Sequence, residues 1–190
     1  MITYRQASLS DMEEYGKIPM NFQCESIYAI KRISNGLGGV LFEETPVEPY
    51  FRDLSHYDPP ETWKRFDTTH WAFFMAYDGK LPIGGSAVAA KTKEVNMLSG
   101  REDISLLWDI RVDNRCKGQG VGTELFRLAA DWSRGNGYKQ MKIETQNNNV
   151  AACRFYHKQG ACLAAFDEFA YFHDPDAKKH EFIMMWYLDL

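Results

Sequence analysis

Ser105-Leu106-Leu107-Trp108-Asp109-Ile110-Arg111-Val112, then Asp113-Asn114-Arg115-Cys116, then Lys117-Gly118-Gln119-Gly120-Val121-Gly122-Thr123 is the stretch whose reading decides the fold. It reads as strand, turn, glycine loop and helix. The first eight residues are apolar or branched at most positions, which suits a strand buried on both faces, and Asp113-Asn114 stops it with turn chemistry. Beyond the loop, Val121, Leu125, Leu128, Ala129 and Trp132 recur at helical spacing on one face, with Glu124, Arg127, Asp131 and Arg134 on the other. Gly135-Asn136-Gly137 ends the helix with residues that tolerate left-handed dihedrals. Gly118, Gly120 and Gly122 bare the backbone where the helix begins. Its orphan N–H groups and the positive end of its dipole then converge on a spot suited to phosphate. Read alone, the loop is equally a tight turn with glycines for steric reasons. It matches neither a P-loop, since no Gly-Lys pair precedes Thr123, nor the dinucleotide fingerprint.

The rest of the chain is that of an ordinary globule. Its 190 residues, 45% hydrophobic and 25% charged, suggest one domain that removes about seven-tenths of its unfolded surface from water. A net charge of −4, with no basic run longer than Lys178-Lys179-His180, argues against nucleic acid as a partner and mildly favours cationic substrates. Cys24, Cys116, Cys153 and Cys162 show neither metal spacing nor a secreted disulfide pattern, and the five histidines are scattered, so no metal site is expected. Polar Thr3, Tyr4, Arg5 and Gln6 open the chain and no apolar run reaches membrane length, so a cytoplasmic protein without a membrane partner is expected.

Ile2 to Ala7 reads as a first strand, and Ser10-Asp11-Met12-Glu13 as a capping box that starts a helix. Ser26 to Ile33 has helical spacing at Ile27, Ile30 and Ile33, broken by Asn35-Gly36-Leu37-Gly38-Gly39. The acidic, aromatic, proline-punctuated stretch from Glu43 to Asp53, with Asp58-Pro59-Pro60-Glu61, is expected as a solvated loop, or else as a lid over an acceptor site. Trp71 to Tyr77 and Leu81 to Ala90 form a hairpin about Asp78-Gly79-Lys80, with a bulge expected at Gly84-Gly85. Gln140 to Thr145 is a strand, Gln146 to Asn149 offers caps for a helix from Val150 to Gln159, and Gly160 closes it. Cys162 to Phe172 reads as a strand interrupted at Asp167-Glu168, His173-Asp174-Pro175-Asp176 as a loop, and Glu181 to Leu188 as the last strand.

Two motifs carry a resemblance. Lys117-Gly118-Gln119-Gly120-Val121-Gly122 after a strand resembles the acetyl-CoA pyrophosphate loop, Q/R-x-x-G-x-G/A, of the GNAT superfamily of N-acetyltransferases. Downstream, Asn149-Val150-Ala151-Ala152-Cys153-Arg154-Phe155-Tyr156-His157-Lys158-Gln159-Gly160-Ala161 is similar to that family's N-x-x-A-x-x-F-Y-x-x-x-G-F helix. Lys117 stands where Arg or Gln is usual and keeps a cation near phosphate, and Ala161 stands where Phe is usual. The resemblance covers residues 105 to 161. It implies an α+β fold of GNAT type: a mixed, twisted central sheet of about seven strands, flanked by helices on both faces. The sheet would be splayed between its fourth and fifth strands, Ser105–Val112 and Gln140–Thr145, in a single acetyltransferase domain over residues 1–190.

It also implies acetyl-CoA as cosubstrate, with Ile110, Arg111, Val112, Lys117, Gly118, Gln119, Gly120, Val121, Gly122, Thr123, Asn149, Ala152, Tyr156 and Lys158 as the residues that hold it. A backbone N–H aimed at the thioester oxygen from near Ile110 or Val112 would stabilise the developing oxyanion by roughly 3 kcal/mol. Tyr156 takes the general-acid position near the cofactor sulfur. A phenol at pKa ~10 can protonate a thiolate at ~8.5 for only about 2 kcal/mol; without the family pattern, Phe155-Tyr156 is simply core packing. For the base, Asp109 and Glu144 are carboxylates within strands, each readable instead as a paired structural charge. A narrower resemblance, over residues 105 to 172, is to the streptothricin acetyltransferases, through Asp109-Ile110, Glu144-Thr145-Gln146, Asn148-Asn149-Val150, Ala152-Cys153, Phe166-Asp167, Phe169 and Tyr171. It implies a small-molecule amine acceptor met by Trp108, Asp109, Glu144 and Asp167, with Trp108 standing where a carboxylate is expected in those enzymes. The readings against which it stands are acetylation of a protein lysine or amino terminus, and an acyl-CoA-binding sensor without turnover. A homodimer is an assembly the sequence leaves open.

Overall fold

The structure, a computed structural model, describes residues 1–175, 177 and 181–190. In chain order its elements are β1 (Ile2–Ala7), α1 (Met12–Tyr15), β2 (Asn21–Ile33), β3 (Gly39–Asp53), β4 (Ala72–Asp78), β5 (Leu81–Ala89), β6 (Ile104–Val112), α2 (Val121–Gly135), β7 (Gln140–Gln146), α3 (Val150–Lys158), β8 (Cys162–Asp167) and β9 (Ile183–Asp189). Seven strands make one sheet in the order β1-β4-β5-β6-β7-β9-β8, and β2 and β3 make a separate two-stranded sheet. The pairs β1·β4, β4·β5 and β5·β6 are antiparallel and β6·β7 is parallel. The mixed α+β, seven-stranded architecture is as expected. Two compact units are distinguishable: Met1–Asn21 with Asp53–Ile143 and Tyr187–Leu190, and Phe22–Arg52 with Glu144–Trp186.

In the first unit, the central strands bury both faces, and their period of two sorts them between two helices. Phe73, Met75, Ala87, Ala89 and Leu106 pack with Met12 and Tyr15 of α1 on one side, while Ala72, Phe74, Ala76 and Ile83 pack with Val121 and Leu125 of α2 on the other. Complete burial of a side chain such as Leu125 contributes about 1.5–3 kcal/mol. Gly84 and Gly85 follow the same alternation. A Cβ at Gly84 would lie 2.9 Å from Leu125 and one at Gly85 2.3 Å from Tyr15, so each glycine lets one helix approach the sheet. The register shift near them falls one residue earlier, where Ala76 pairs with Gly84 but Tyr77 with Pro82. A second shift has a larger consequence. Ala87 pairs with Asp109 and Val88 with Leu107, which leaves Trp108 as the extra residue of a bulge, a device that re-aims a side chain. The β6·β7 ladder runs from Ile104·Gln140 to Leu107·Ile143, so Trp108 to Val112 lie past its last rung.

Three local expectations are corrected. The capping interaction sits two residues earlier than read: the Ser8 N–H donates to Asp11 Oδ2 at 2.8 Å, and a 3-10 turn, Leu9–Asp11, precedes the short α1. The apolar face expected on α2 needs no correction: Val121, Leu125 and Ala129 are buried, and Leu128 and Trp132, half-buried, pack against the same cluster as Val121 and Leu125. The helix at Ser26–Ile33 is instead part of β2, and the loop at Glu43–Asp53 part of β3. Ile27, Tyr28 and Ile30 are β-favouring residues, and in a two-stranded ribbon each strand has one unpaired edge, which makes prolines such as Pro46 and Pro49 more tolerable in β3 than in a central strand.

In the second unit, β8 stops at Asp167 and turns occupy the residues to Phe172 that were expected to resume the strand. The loop expected at 173–176 is seen through Pro175; Asp176, like Lys178, Lys179 and His180, lies outside the described residues. Arg52 and Glu181 form a buried ion pair at 3.1 Å.

Candidate functional site

The glycine loop is built from backbone. Gly118 and Gly120 sit at φ +77 and +84, in the left-handed region, with open space where a Cβ would be. Gly120 is the N-cap of α2, and the first helical bond runs from the Glu124 N–H to the Gly120 carbonyl at 3.0 Å. The N–H groups of Val121, Gly122 and Thr123 therefore precede the helical ladder, at the end of a fifteen-residue helix where the dipole is positive. Val121 points into the core, whereas Gly118, Gln119, Gly120 and Thr123 are exposed.

The entrance to the loop is pinned. Asp113 accepts from the Arg115 backbone N–H at 2.9 Å and from its guanidinium at 2.9 and 2.7 Å, and Arg115 thereby holds the carboxyl down at about 2. Gln119 Nε2 donates to the Arg115 carbonyl at 3.0 Å. Lys117 Nζ donates to the Asn21 carbonyl at 3.1 Å. This residue is exposed as a whole, but its amine folds back on the chain, and desolvation there lowers its pKa.

On β6, Asp109 and Arg111 are enclosed together. Arg111 is 4% and Asp109 6% exposed. Arg111 binds both oxygens of Asp109, donates to the Ile18 carbonyl at 3.3 Å and lies 5.2 Å over the Tyr15 ring, whose hydroxyl donates to Asp109 Oδ1 at 2.7 Å. Burial acts against the Arg111 charge, but Asp109 outweighs it and raises the guanidinium pKa; burial, with Asp109 adding to it, raises the Tyr15 phenol well above its ordinary value. Ile110 and Val112, half-buried, alternate to the α2 face. Trp108, on the bulge, donates its indole N–H to Asp58 Oδ2 at 2.8 Å and packs 5.4 Å from Trp71 and 5.5 Å from Phe66.

The second unit carries the other expected residues. Asn149 caps α3, its Oδ1 accepting the Ala152 N–H at 3.1 Å. Tyr156 is buried with Phe155 edge-on at 5.4 Å, Ala152 is half-buried and Lys158 exposed. Glu144 Oε1 accepts from the Tyr171 hydroxyl at 3.2 Å and Gln146 Nε2 at 3.5 Å, and Gln146 Nε2 also reaches the Tyr171 oxygen at 2.9 Å. Burial, followed by the Glu144 charge, raises the Tyr171 pKa. Asp167 is exposed and accepts the Phe169 N–H at 2.9 Å.

In the first unit, the structure brings Trp108, Asp109, Ile110, Arg111 and Val112 into one strand that leads to the loop; in the second, Asn149, Ala152, Tyr156 and Lys158 share one helix. Tyr15 and Asn147 escaped the sequence reading, and Asp58 was read only as part of a proline-punctuated loop or lid. Tyr15 and Asp58 join β6 across more than forty residues, with no local signal. Asn147 is fully buried and braces its unit through Tyr28 and Phe182: its Nδ2 donates to the Tyr28 carbonyl at 3.0 Å and its Oδ1 accepts the Phe182 N–H at 2.9 Å. A run of three asparagines where one cap suffices was its only trace. Among the described residues no group of three or more His, Cys, Asp or Glu is gathered as metal ligands, and no helix is long and apolar enough to cross a membrane.

Residues 40–161 match the acetyltransferase (GNAT) family. The chain is 32% identical over 145 residues to streptothricin acetyltransferase A of Bacillus subtilis, an alignment covering 76% of each. Two solved structures superpose along almost the whole chain. One is a nourseothricin acetyltransferase, at TM-score 0.77 and 23% identity, covering 99% of this chain and 98% of the other. The second, from Bacillus anthracis, is assigned as a streptothricin acetyltransferase and holds acetyl coenzyme A; it superposes at TM-score 0.77 and 22% identity, covering 100% and 98%.

Proposed function

The chain belongs to the acetyltransferase (GNAT) family, and from that premise we propose that it moves an acetyl group from acetyl-CoA to an amine of a small cationic acceptor, with streptothricin as the first candidate. The observation that carries this reading is the bared, left-handed loop at Gly118 and Gly120 opening α2. A polyphosphate needs N–H groups without side chains in front of them, and that loop offers them. The family match spans parts of both units, in keeping with one acetyltransferase domain over the chain.

Bound acetyl-CoA supplies the activated acyl carbon; the chain's own residues supply the rest. Lys117, Gly118, Gln119, Gly120, Val121, Gly122 and Thr123 hold the diphosphate, with Asp113 and Arg115 keeping the loop in shape. Ile110, Arg111 and Val112 offer main-chain groups beyond the last β6·β7 rung, where strand hydrogen bonds are not already committed to β7. Asn149, Ala152 and Lys158 add contacts from the start and end of α3. Tyr156 delivers a proton to the departing sulfur.

Glu144 is the stronger candidate to receive the amine's proton, because Asp109 is already committed to Arg111 on both oxygens and to Tyr15 on one. Asp109 on this reading positions β6. Trp108 and Asp167 meet the acceptor, an indole face and an exposed carboxylate both suiting a cation.

The test is calorimetry with acetyl-CoA, followed by thiol release on adding an amine panel that includes streptothricin. Binding together with streptothricin-dependent thiol release is expected. Binding without release for any small amine, combined with new lysine or amino-terminal acetylation across a proteome on overexpression, moves the acceptor to proteins. No heat with acetyl-CoA sinks the transferase reading for this chain.

A further inference from the structure

Asp58 spends its two oxygens differently. Oδ2 accepts two indole N–H groups, from Trp63 at 2.7 Å and Trp108 at 2.8 Å, and Trp63 is completely buried. Oδ1 accepts Arg65 Nη2 at 2.7 Å, and the same guanidinium lies with its Cζ 4.4 Å over the Phe66 ring and also meets Thr62 Oγ1. The indole side is fixed in an aromatic cluster in which Trp63, Phe66, Trp71, Phe73 and Trp108 pack at 5.4–6.4 Å. The arginine side is open, with side-chain exposures of 50% for Arg65 and 31% for Asp58.

A carboxylate oxygen beside an aromatic face is what a cation recognises, and here a cation of the protein already sits on both. An ion pair this exposed contributes little to stability, so its arginine is exchangeable. The exchange keeps the charge balance: one cation leaves Asp58 Oδ1 as another arrives. Trp108, the bulge residue of β6, is tied to the same carboxylate, so the seat is joined to the strand that carries Asp109 to Val112.

We propose that Asp58 Oδ1 and the Phe66 ring form a cation seat, occupied by Arg65 at rest and yielded to the second positive group of a multiply charged amine. The seat rests on the small-amine reading above and adds to it a preference for acceptors with two cationic groups. Asp58 and Phe66 are then specificity residues that touch the acceptor away from the reacting atoms, and Arg65 is the internal competitor that it displaces.

The test uses the full chain with hexamethylenediamine, with hexylamine as its singly charged counterpart. Arg65→Ala empties the seat, and it is expected to lower KM for the diamine by about two- to fivefold while leaving hexylamine unchanged. Arg65→Ala with Phe66→Leu is expected to return the gain. Asp58→Asn keeps an oxygen for both indoles but removes the charge, and should abolish the preference for the diamine. Equal shifts for both amines, or a weaker diamine after Arg65→Ala, overturn the seat.

A titration by tryptophan fluorescence, sensitive because Trp63 and Trp108 share Asp58, reads the seat without turnover. Arg65→Ala must bind the diamine tighter than both the wild type and Arg101→Ala, a variant that loses an equal charge elsewhere. If neither amine is acetylated, the small-amine reading is decided by the streptothricin panel above, and the titration alone decides the seat. If Asp58→Asn does not fold, the Arg65 variants decide it alone.

Discussion

Asp109 and Glu144 are two carboxylates in two strands of one sheet, and their company differs. Asp109 is enclosed with a guanidinium on both of its oxygens and a tyrosine hydroxyl on one. Glu144 is only half-buried and meets a tyrosine hydroxyl and an amide, both neutral. An enclosed carboxylate with its cation beside it is part of the architecture: protonating it would strand Arg111, 4% exposed, without a counter-charge. The contacts of Glu144 with Tyr171 and Gln146 carry no charge, so a change in its protonation strands neither of those two partners. What fits a carboxylate for structure or for chemistry is therefore whether a buried charge depends on it, more than its depth.

The largest effect should come from breaking the enclosed pair. Asp109→Ala leaves Arg111 buried and uncompensated, for which a loss of about 3–5 kcal/mol is expected in urea unfolding, against less than about 1 kcal/mol for Glu144→Gln. Similar losses for the two variants would erase the distinction. Activity should divide the other way. Glu144→Gln and Tyr156→Phe are each expected to lower kcat by about a hundredfold or more with acetyl-CoA affinity near normal, read by single-turnover thiol release and calorimetry. An Asp109→Asn variant that folds and loses turnover to the same degree, with Glu144→Gln fully active, would exchange the two roles.

The Asp113–Arg115 clasp is intermediate, with one partner mostly buried and the other open. Arg115 holds the Asp113 carboxyl down from 3.8 to about 2. Its folded pKa thus lies below the unfolded one, so its contribution to stability is complete above about pH 4 and is lost as pH falls through about 2. Asp11, held down to about 2 by Arg5, acts with the same sign. Melting temperature followed between pH 4 and 2 should therefore fall less steeply in Asp113→Asn than in the wild type. An unchanged acid limb would mean that the clasp does not hold the loop in shape.

Which of these features could be read from the sequence follows from how local their causes are. The strand, glycine loop and helix from Ser105 to Gly135 were legible because a nearly continuous apolar run, closely spaced glycines and a 3.6-residue apolar stripe are written within a few neighbours, and the Asn149 cap was legible for the same reason. The enclosure of Asp109 was not, because Tyr15 lies 94 residues away along the chain. Nor was the node at Asp58, which joins Trp108 across 50 residues. The ribbon of β2 and β3 was hidden by its prolines. Thr45 and Val47 alternate with Glu44, Pro46 and Glu48 at the period of a strand, but proline says loop unless the strand is known to be an edge. The bulge at Trp108 had no signal in its own strand, since the missing partner is defined by β5.

The smallest effect tests the same distinction at its open limit. On the solvent face of α2, Arg127 pairs with Glu124 at 2.6 Å and with Asp131 at 2.5 Å, and Arg134 pairs with Asp131 at 2.8 Å. By number of contacts this chain of charges rivals the Asp109–Arg111 pair. All four side chains are between 35% and 54% exposed, however, so water can replace each partner as it leaves. Arg127→Ala is accordingly expected to cost no more than about 0.5 kcal/mol in urea unfolding, and less in high salt. A cost approaching that of Asp109→Ala would show that the number of ion-pair contacts, rather than enclosure, sets what a charged pair contributes here, and the separation of Asp109 from Glu144 on the same ground would fall with it.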